Sequence, residues 1–243
     1  MKDNILLCFM AIIAIGILPN AVEAQVTYGY WTGVELRKPL TRSLSVSVSP
    51  EFRFTNSPLR LDDFLLEAEI RFRIYRWLQL EGGYRYSRFY DDEFNDRFKR
   101  HRHSAGIRSR FYVARFGFTY RFQYQHSTIY WYDYGYSVES KDNLRNRLQV
   151  SYNIPRTKIE PFVMGEIYYD ISSGKQHEFN RFRFRVGVSY PFNKRNEIEV
   201  FGQYQDKLNA KDPMATYAVG VFYSHKFRQP KRSVNDTDSD EDG

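Results

Sequence analysis

Apolar and polar residues alternate along most of the chain, and the alternation restarts repeatedly up to its end. In segment 64–74 the apolar positions are Phe64, Leu66, Ala68, Ile70, Phe72 and Ile74, which from Leu66 onward alternate with Glu67, Glu69, Arg71 and Arg73. Segments 43–54 and 181–190 repeat the pattern, and the second carries three arginines on its polar face. Because successive strand side chains point to opposite faces, each segment has one apolar and one charged face. Long strands of this kind favour a transmembrane β-barrel, with lipid outside and a polar lumen inside, over a water-soluble sandwich.

The pattern predicts strands that are mostly longer than the ~10 residues a tilted strand needs to cross a bilayer. They cover 26–37, 43–54, 62–75, 77–90, 100–112, 115–126, 142–154, 158–170, 179–191, 196–206 and 214–227. Short connections lie near 38–42, 75–76, 113–114, 155–157 and 191–196, and long ones near 91–99, 126–141, 171–178 and 206–213. Outer-membrane barrels place short turns on the periplasmic side and long loops outside. The alternation of connection length therefore predicts which end of the barrel faces outward.

The predicted fold class is all-β, a transmembrane antiparallel up-and-down barrel of 10–12 strands. Bacterial outer-membrane barrels have even strand numbers, so ten or twelve strands are favoured over the eleven counted segments. Region 126–141 is where extra strand length could lie. Pro50 and Pro161 fall inside strand patterns, and each predicts a bulge or a strand edge because proline cannot donate to the ladder.

Three domains are predicted along the chain. Residues 1–24 have an apolar run of about 14 residues and end in Val22-Glu23-Ala24; the run is shorter than the ~20 residues of a spanning helix. This predicts a signal peptide rather than an anchor, and its removal leaves a chain without cysteine. Residues 25–227 form the barrel. Residues 228–243 are polar and acidic, which predicts a disordered tail; without the glycine spacing of a calcium loop, no metal site is expected there.

Composition sharpens this interpretation. Aromatic residues make up 18% of the chain, with 20 Tyr and 20 Phe, which suits the aromatic girdles of a membrane barrel. The mean hydropathy of −0.61 is typical of a soluble protein. In a membrane barrel, however, the apolar residues of the outer face and the polar residues of the inner face offset each other in this average. The net charge of +7 does not indicate nucleic-acid binding, because the arginines lie at strand spacing on one face.

The polar parity predicts a lumen with more basic than acidic side chains. The basic positions are Arg53, Arg71, Arg73, Arg85, Arg108, Arg110, Arg121, Arg145, Arg147, Arg181, Arg183 and Arg185. The acidic positions are Glu35, Glu51, Glu67, Glu69, Glu81, Glu166, Glu197 and Glu199. Two alternatives follow: the charges interlock as a salt-bridged plug, or the surplus arginines line a narrow, porin-like water path that favours small anions.

Catalysis is the rival interpretation. A lipase-like site needs a serine activated by a histidine, both near the outer rim. His101 and His103 fall on the lipid-facing parity, Ser104 on the opposite one, and Ser109 too far along, although a neighbouring strand could supply the partner. We therefore expect no enzyme and no cofactor, with a rim hydrolase, lipase-like or protease-like, as the alternative. Asp91-Asp92 would suit a rim protease, but such pairs are more typical of soluble loop tips.

The aromatic segment 129–136 could stack on sugars or receive a partner protein, but a strand extension within the upper aromatic girdle is favoured.

Several segments in this order resemble a bacterial family, domain of unknown function 2490 (DUF2490). They are Tyr30-Trp31-Thr32-Gly33-Val34-Glu35-Leu36, the strand at 44–54, Gly83-Tyr84-Arg85-Tyr86, Leu144-Arg145-Asn146-Arg147-Leu148, Pro161-Phe162-Val163-Met164-Gly165-Glu166 and the closing residues 220–227. The resemblance implies an outer-membrane barrel without an assigned activity. The chain departs from the usual aromatic C-terminus of bacterial barrels by its acidic tail.

Together these features predict a protein of the outer membrane of a diderm bacterium, exported through its signal peptide. Its expected partners are the lipid bilayer with lipopolysaccharide, and small anions, but no nucleic acid. Its expected role is a structural scaffold or a narrow basic-lumen pore.

Overall fold

The protein is a closed all-β barrel. The computed structural model describes residues 25–55, 60–91, 96–131, 137–174, 177–209 and 214–229. The strands are β1 (Gln25–Pro39), β2 (Leu44–Thr55), β3 (Leu61–Arg73), β4 (Leu78–Asp91), β5 (Asp96–Val113), β6 (Phe116–Trp131), β7 (Ser137–Tyr152), β8 (Glu160–Asp170), β9 (Glu178–Pro191), β10 (Asn196–Lys207) and β11 (Met214–Lys226). Each strand pairs with its sequence neighbours, and β1 pairs with β11. The predicted all-β barrel is thus confirmed. The described residues include no helix long and apolar enough to span a membrane.

The predicted signal peptide and most of the predicted acidic tail lie outside the described residues, at 1–24 and 230–243. Both stay predictions. The strands run from Gln25 to Lys226, within the predicted barrel domain 25–227.

Closure of the barrel uses a parallel pair. All eleven alternating segments are strands, so β1 and β11 run in the same direction. They pair in parallel from Gln25–Met214 to Arg37–Lys226, whereas the other neighbouring strands pair antiparallel. The count lies within the predicted 10–12, but the expectation of an even number is wrong because parallel closure accommodates the odd strand.

Three strands extend four or five residues beyond their predicted bounds at one end. β5 begins at Asp96, β6 continues to Trp131 and β7 begins at Ser137, so most of the predicted long loop 126–141 is strand. We call the end with connections 40–43, 74–77, 114–115, 153–159 and 192–195 the turn end, and the end with 56–60, 92–95, 132–136, 171–177 and 208–213 the loop end. The connections at the two ends therefore differ little in length, and the assignment of the loop end to the outside stays a prediction.

The two prolines do not mark the register shifts of the barrel. These shifts occur at Arg53/Phe54 and Tyr168/Tyr169. Pro161 lies at the beginning of β8, the predicted strand edge. Pro50 keeps its register with β3, while the β1–β2 pairing passes from Gly33–Glu51 to Leu36–Val48. The predicted bulge at Pro50 is therefore wrong, and the missing donor interrupts the ladder towards β1 instead.

Burial is inverted relative to a water-soluble protein. Several charged side chains that point into the barrel are buried, and Glu166 and Arg145 are only 2% and 5% exposed. Large apolar side chains on the other parity are exposed, with Ile70 at 48% and Val219 at 55%. The inner face is thus mostly polar and the outer face mostly apolar.

A small apolar cluster fills the lumen beside the β1–β11 pair. It consists of Phe162, Met164 and Phe201, with Phe222 packed against it. The rings of Phe201 and Phe222 stack with their centroids 5.4 Å apart. Gly220 lies directly under the Phe201 ring, where a Cβ atom would overlap it. The ring packing at this side of the barrel therefore requires glycine.

Replacing Gly220 by alanine should lower the free energy of unfolding by about 1–3 kcal/mol, because the packed Phe201 ring cannot move away from an added methyl group. Urea unfolding of the folded barrel in detergent micelles measures the change. Gly202→Ala is the matched control, since no atom lies within 4 Å of the added Cβ, and it should change stability by less than about 0.5 kcal/mol. Equal losses in both variants would contradict the packing argument.

Candidate functional site

The lumen contains a cavity of about 420 Å³ lined by charged side chains. Predicted lumen residues on its wall are Glu35, Glu51, Arg53, Glu67, Glu69, Arg71, Arg85, Arg108, Arg110, Arg121, Arg145, Arg147, Glu166, Arg183, Arg185, Glu197 and Glu199. The cavity reaches the turn end, where Arg37, Glu160 and Ser224 line it. It is therefore a polar vestibule within the barrel.

Three predicted lumen residues lie elsewhere in the barrel. Arg73 lines a second cavity of about 260 Å³ at the turn end. The Glu81 side chain is 0% exposed and is covered by arginines. Arg181 lies towards the loop end, with its guanidinium 5.3 Å from the Tyr168 ring centroid.

One group of ion pairs connects the four strands β3, β4, β5 and β6 on the lumen side of the barrel. Arg121 of β6 places Nη2 2.5 Å from Glu69 Oε2 of β3, and its Nε 2.5 Å from Glu81 Oε2 of β4. Arg108 of β5 also contacts Glu81, with 2.5 Å between Nε and Oε1. Arg71 of β3 pairs with Glu69. These residues are nearly or fully buried, so the charges compensate each other away from bulk water.

A second group is centred on Glu166 of β8. Its Oε2 lies 2.6 Å from Arg145 Nη2 and 3.1 Å from Arg147 Nε, and its Oε1 lies 2.9 Å from Arg183 Nη1. The Tyr168 hydroxyl donates a hydrogen bond to Oε1, at 2.5 Å. The Glu166 side chain is 0% exposed. One buried carboxylate therefore holds three arginines from β7 and β9.

Trp31 of β1 connects this second group to Arg53 of the neighbouring strand β2. The Arg53 guanidinium of β2 lies 4.0 Å from its ring centroid, and the Arg183 guanidinium of β9 lies 5.5 Å away. Trp31 itself is 6% exposed. Guanidinium groups at such distances from an aromatic ring are attracted to its face, so Trp31 links strands on either side of the β1–β11 pair.

Arg100, Arg102 and Arg181 form a cationic cluster towards the loop end. None of the three has an ion pair within 4.0 Å among the described residues. Arg102 Nε donates to Ser127 Oγ at 2.9 Å, and the buried Arg181 Nε has no hydrogen-bond partner in the described part of the chain. The three guanidinium groups repel one another, while Asp63 and Glu139 attract that of Arg100. All three side chains are only partly exposed.

The prediction of lumen residues included Arg181 but missed Arg100 and Arg102. Both share the parity of Arg108 and Arg110 on β5, which was the available signal.

The histidines and serines considered for catalysis are not brought together. His101 points outward, with Nδ1 2.6 Å from the Tyr84 hydroxyl oxygen. Ser104 points inward and its hydroxyl donates to the Gly83 carbonyl at 3.4 Å. Ser109 lies further along β5, opposite Leu78 at the turn end. Sequence reasoning instead missed a contact of His126 with residues of β6 and β7.

His126 Nδ1 lies 2.9 Å from Asp142 Oδ1, and His126 Nε2 lies 3.5 Å from Thr128 Oγ1. The His126-Ser127-Thr128 spacing places the histidine and the threonine on one face, which is a sequence signal. Asp142 could be added only from the β6–β7 register.

Two further predicted loop features are only partly described. Asp91 ends β4, whereas Asp92 lies outside the described residues. Residues 129–131 of the aromatic segment extend β6, as expected, and 132–136 lie outside the described part of the chain.

Comparison with known proteins identifies a family. The model of the family described as "Protein of unknown function (DUF2490)" matches residues 28–215, which confirms the resemblance expected from the sequence. No curated protein matches the chain.

Two solved structures share its general shape. A bacterial polysaccharide outer membrane secretin has a TM-score of 0.49 and 10% identity, and the match covers 76% of this chain and 63% of that chain. The beta domain of the Bordetella autotransporter BrkA has a TM-score of 0.46 and 9% identity, over 77% of this chain and 85% of that chain. This chain thus spans less than two thirds of the secretin chain.

Proposed function

Since the chain belongs to the DUF2490 family, whose description assigns no function, we propose a function from the barrel itself. The protein is an outer-membrane β-barrel scaffold of a diderm bacterium, and its ion-paired lumen binds small anions instead of conducting freely. Its outer face contacts the lipid bilayer and lipopolysaccharide.

The inverted burial carries this proposal. Outward side chains such as Val26, Phe72 and Val219 are 47–55% exposed, whereas the inward charged side chains Glu81, Arg121 and Glu166 are buried. In water this arrangement would leave a continuous apolar surface around the barrel, which soluble monomers rarely have. In a bilayer the same surface faces hydrocarbon, and the closed barrel satisfies its backbone hydrogen bonds.

The ion-pair groups favour a closed resting lumen over an open water path. Arg121 joins β6 to β3, Glu166 joins β7, β8 and β9, and Trp31 joins Arg53 to Arg183. These paired side chains therefore occupy much of the lumen around the vestibule. Planar-bilayer recording tests this: the purified barrel should insert without discrete conductance steps. Regular anion-selective conductance steps would instead support the second candidate function, a narrow pore. The surplus of arginines in the lumen favours this candidate.

The cationic cluster of Arg100, Arg102 and Arg181 supports anion binding. Charges that lack a close ion-pair partner away from bulk water are costly, and an anion that pairs with them lowers that cost. A phosphoryl group suits guanidinium donors because its oxygens accept paired hydrogen bonds. Each side chain keeps some surface open to the lumen, so a small ion has access to the cluster.

Exchanging chloride for inorganic phosphate at equal ionic strength should stabilise the wild-type barrel. The gain should be about 1.4 to 2.7 kcal/mol when phosphate is present at about 10 to 100 times its Kd. Arg181→Met should abolish this gain, and it should stabilise the barrel in chloride because a repulsive charge is removed. Thermal unfolding in detergent micelles, followed by circular dichroism, measures both effects.

The control is Arg73→Met, which removes an exposed arginine at the turn end, away from the cluster. It should keep the full response to phosphate. A wild-type barrel that does not respond to phosphate, or an Arg181→Met variant that still does, would refute the anion site while leaving the membrane location intact. Glycerol 1-phosphate in place of inorganic phosphate distinguishes an organic phosphomonoester from the free ion.

A further inference from the structure

A hydroxyl, an imidazole and a carboxylate form a chain on the outer face of the barrel. Thr128 Oγ1 lies 3.5 Å from His126 Nε2, and His126 Nδ1 lies 2.9 Å from Asp142 Oδ1. His126 and Thr128 are two residues apart on β6, and Asp142 is the register partner of His126 on β7. The His126 side chain is 39% exposed and that of Asp142 is 25% exposed. The three groups are therefore accessible from outside the barrel.

The order of these groups is that of a catalytic triad. The carboxylate contacts Nδ1, which leaves Nε2 to accept the proton of the hydroxyl, and a nucleophile needs this arrangement. The Tyr124 hydroxyl donates to Asp142 Oδ1 at 2.6 Å and so fixes the carboxylate. The 3.5 Å between Thr128 and His126 is long for a hydrogen bond, but such catalytic contacts commonly shorten when substrate binds.

The position of the triad along the barrel points to its substrate. Ten residues separate Phe116, at the turn end of β6, from His126. At ~3.4 Å per residue and a tilt of ~40°, this is about 26 Å along the barrel axis. The apolar band of a membrane barrel is about 25 Å tall, so the triad lies where acyl chains meet headgroups. The ester bonds of membrane lipids lie at this depth.

We propose that Thr128, His126 and Asp142 are the catalytic residues of an esterase that acts on acyl esters of membrane lipids. Thr128 Oγ1 attacks the ester carbonyl carbon while His126 Nε2 takes the hydroxyl proton. The ester C–O bond then breaks, and His126 gives that proton to the leaving alcohol oxygen. His126 then takes a proton from a water molecule, whose oxygen attacks the acyl carbon of the acyl–threonine ester. The bond between that carbon and Thr128 Oγ1 breaks, His126 returns the proton to Oγ1, and the carboxylic acid leaves. No oxidant, metal or cofactor enters this sequence.

His101 is placed to stabilise the developing oxyanion. It is the register partner of Thr128 on β5, so the two side chains lie side by side on the outer face. Tyr84 contacts His101 Nδ1 at 2.6 Å. When the Tyr84 hydroxyl donates that hydrogen bond, the neutral imidazole carries its proton on Nε2 and can donate it to the oxyanion.

A fluorophosphonate probe and a phospholipid substrate in mixed micelles test the proposal. The folded wild-type protein should release fatty acid, and mass spectrometry should find the probe on Thr128. Thr128→Val keeps the branched shape without the hydroxyl and should abolish both signals, whereas Thr128→Ser should retain them. Asp142→Asn should lower the rate by about 10²- to 10⁴-fold, and His101→Ala should lower it less.

The matched control is Thr32→Val, which removes an outward hydroxyl on β1, far from the triad. It should leave the rate unchanged. Fatty acid release by Thr128→Val at the wild-type rate, or no release and no label in the wild type, would overturn the proposal. The micelle assay does not require the protein to be inserted in a bilayer. Its result therefore tests the esterase proposal without testing the proposed membrane location. Folding of each variant is verified by gel electrophoresis, in which an unheated folded barrel migrates differently from the same sample unfolded by heating.

Discussion

Replacing Glu166 by glutamine should lower the free energy of unfolding by about 3–5 kcal/mol. The Glu166 carboxylate is fully buried and lies within 3.1 Å of Arg145, Arg147 and Arg183. Glutamine has nearly the same volume but no charge, so three guanidinium groups would lose their counter-charge in a site removed from bulk water. The expected loss comes from those uncompensated cations more than from the loss of one favourable contact.

The measurement is equilibrium urea unfolding of the barrel in micelles, monitored by tryptophan fluorescence, because Trp31 lies against Arg183 of the same group. Glu199→Gln is the matched control. Glu199 contacts Arg185 at 3.3 Å and its side chain is 24% exposed. Its removal should cost at most about 1 kcal/mol, as for partly exposed ion pairs.

Equal small losses in both variants would show that water reaches Glu166 freely. The lumen would then be an open path and not a set of interlocked ion pairs. A much larger loss at Glu166 would support the closed scaffold, because only a site excluded from water makes the missing charge so costly.

The sequence was sufficient for the strands and their two faces because both depend on a local period of two residues. The alternation around Phe64–Ile74 and Arg181–Tyr190 needs no information from other strands. The same local reasoning placed the arginines and glutamates on one parity. Local periodicity did not predict where the strands end. Segment 126–141 lacks strict alternation, yet β6 and β7 continue into it because they pair with each other.

What the sequence could not provide is the relation between strands. The pairing of Arg121 with Glu69 joins residues from β6 and β3, and no pattern within one strand encodes it. The parallel closure of β1 on β11 was unexpected for the same reason. The contact of His126 with Asp142 also depends on the register of β6 against β7. The candidate sites therefore depend on the register between paired strands, whereas the fold can be predicted from the two-residue alternation within each strand.

Replacing Val221 by arginine should destabilise the membrane-inserted barrel by about 2–4 kcal/mol. Val221 points outward from β11, is 41% exposed and lies between Val200 of β10 and Thr32 of β1. Five residues separate it from Lys226 at the turn end. This corresponds to about 13 Å along the axis at ~3.4 Å per residue and a ~40° tilt, close to the middle of an apolar band about 25 Å tall.

Val113→Arg provides the comparison, because the same substitution is made on the same face at the end of β5, where Val113 is 59% exposed. In phospholipid vesicles its cost should fall to about 0–1 kcal/mol, since an arginine there reaches the headgroups. Reversible urea unfolding from vesicles measures both variants. In water, both positions are exposed, and both substitutions would stay within about 0.5 kcal/mol. A large loss at Val221 together with a small loss at Val113 therefore requires hydrocarbon around the middle of the barrel, and equal small losses would refute the membrane location.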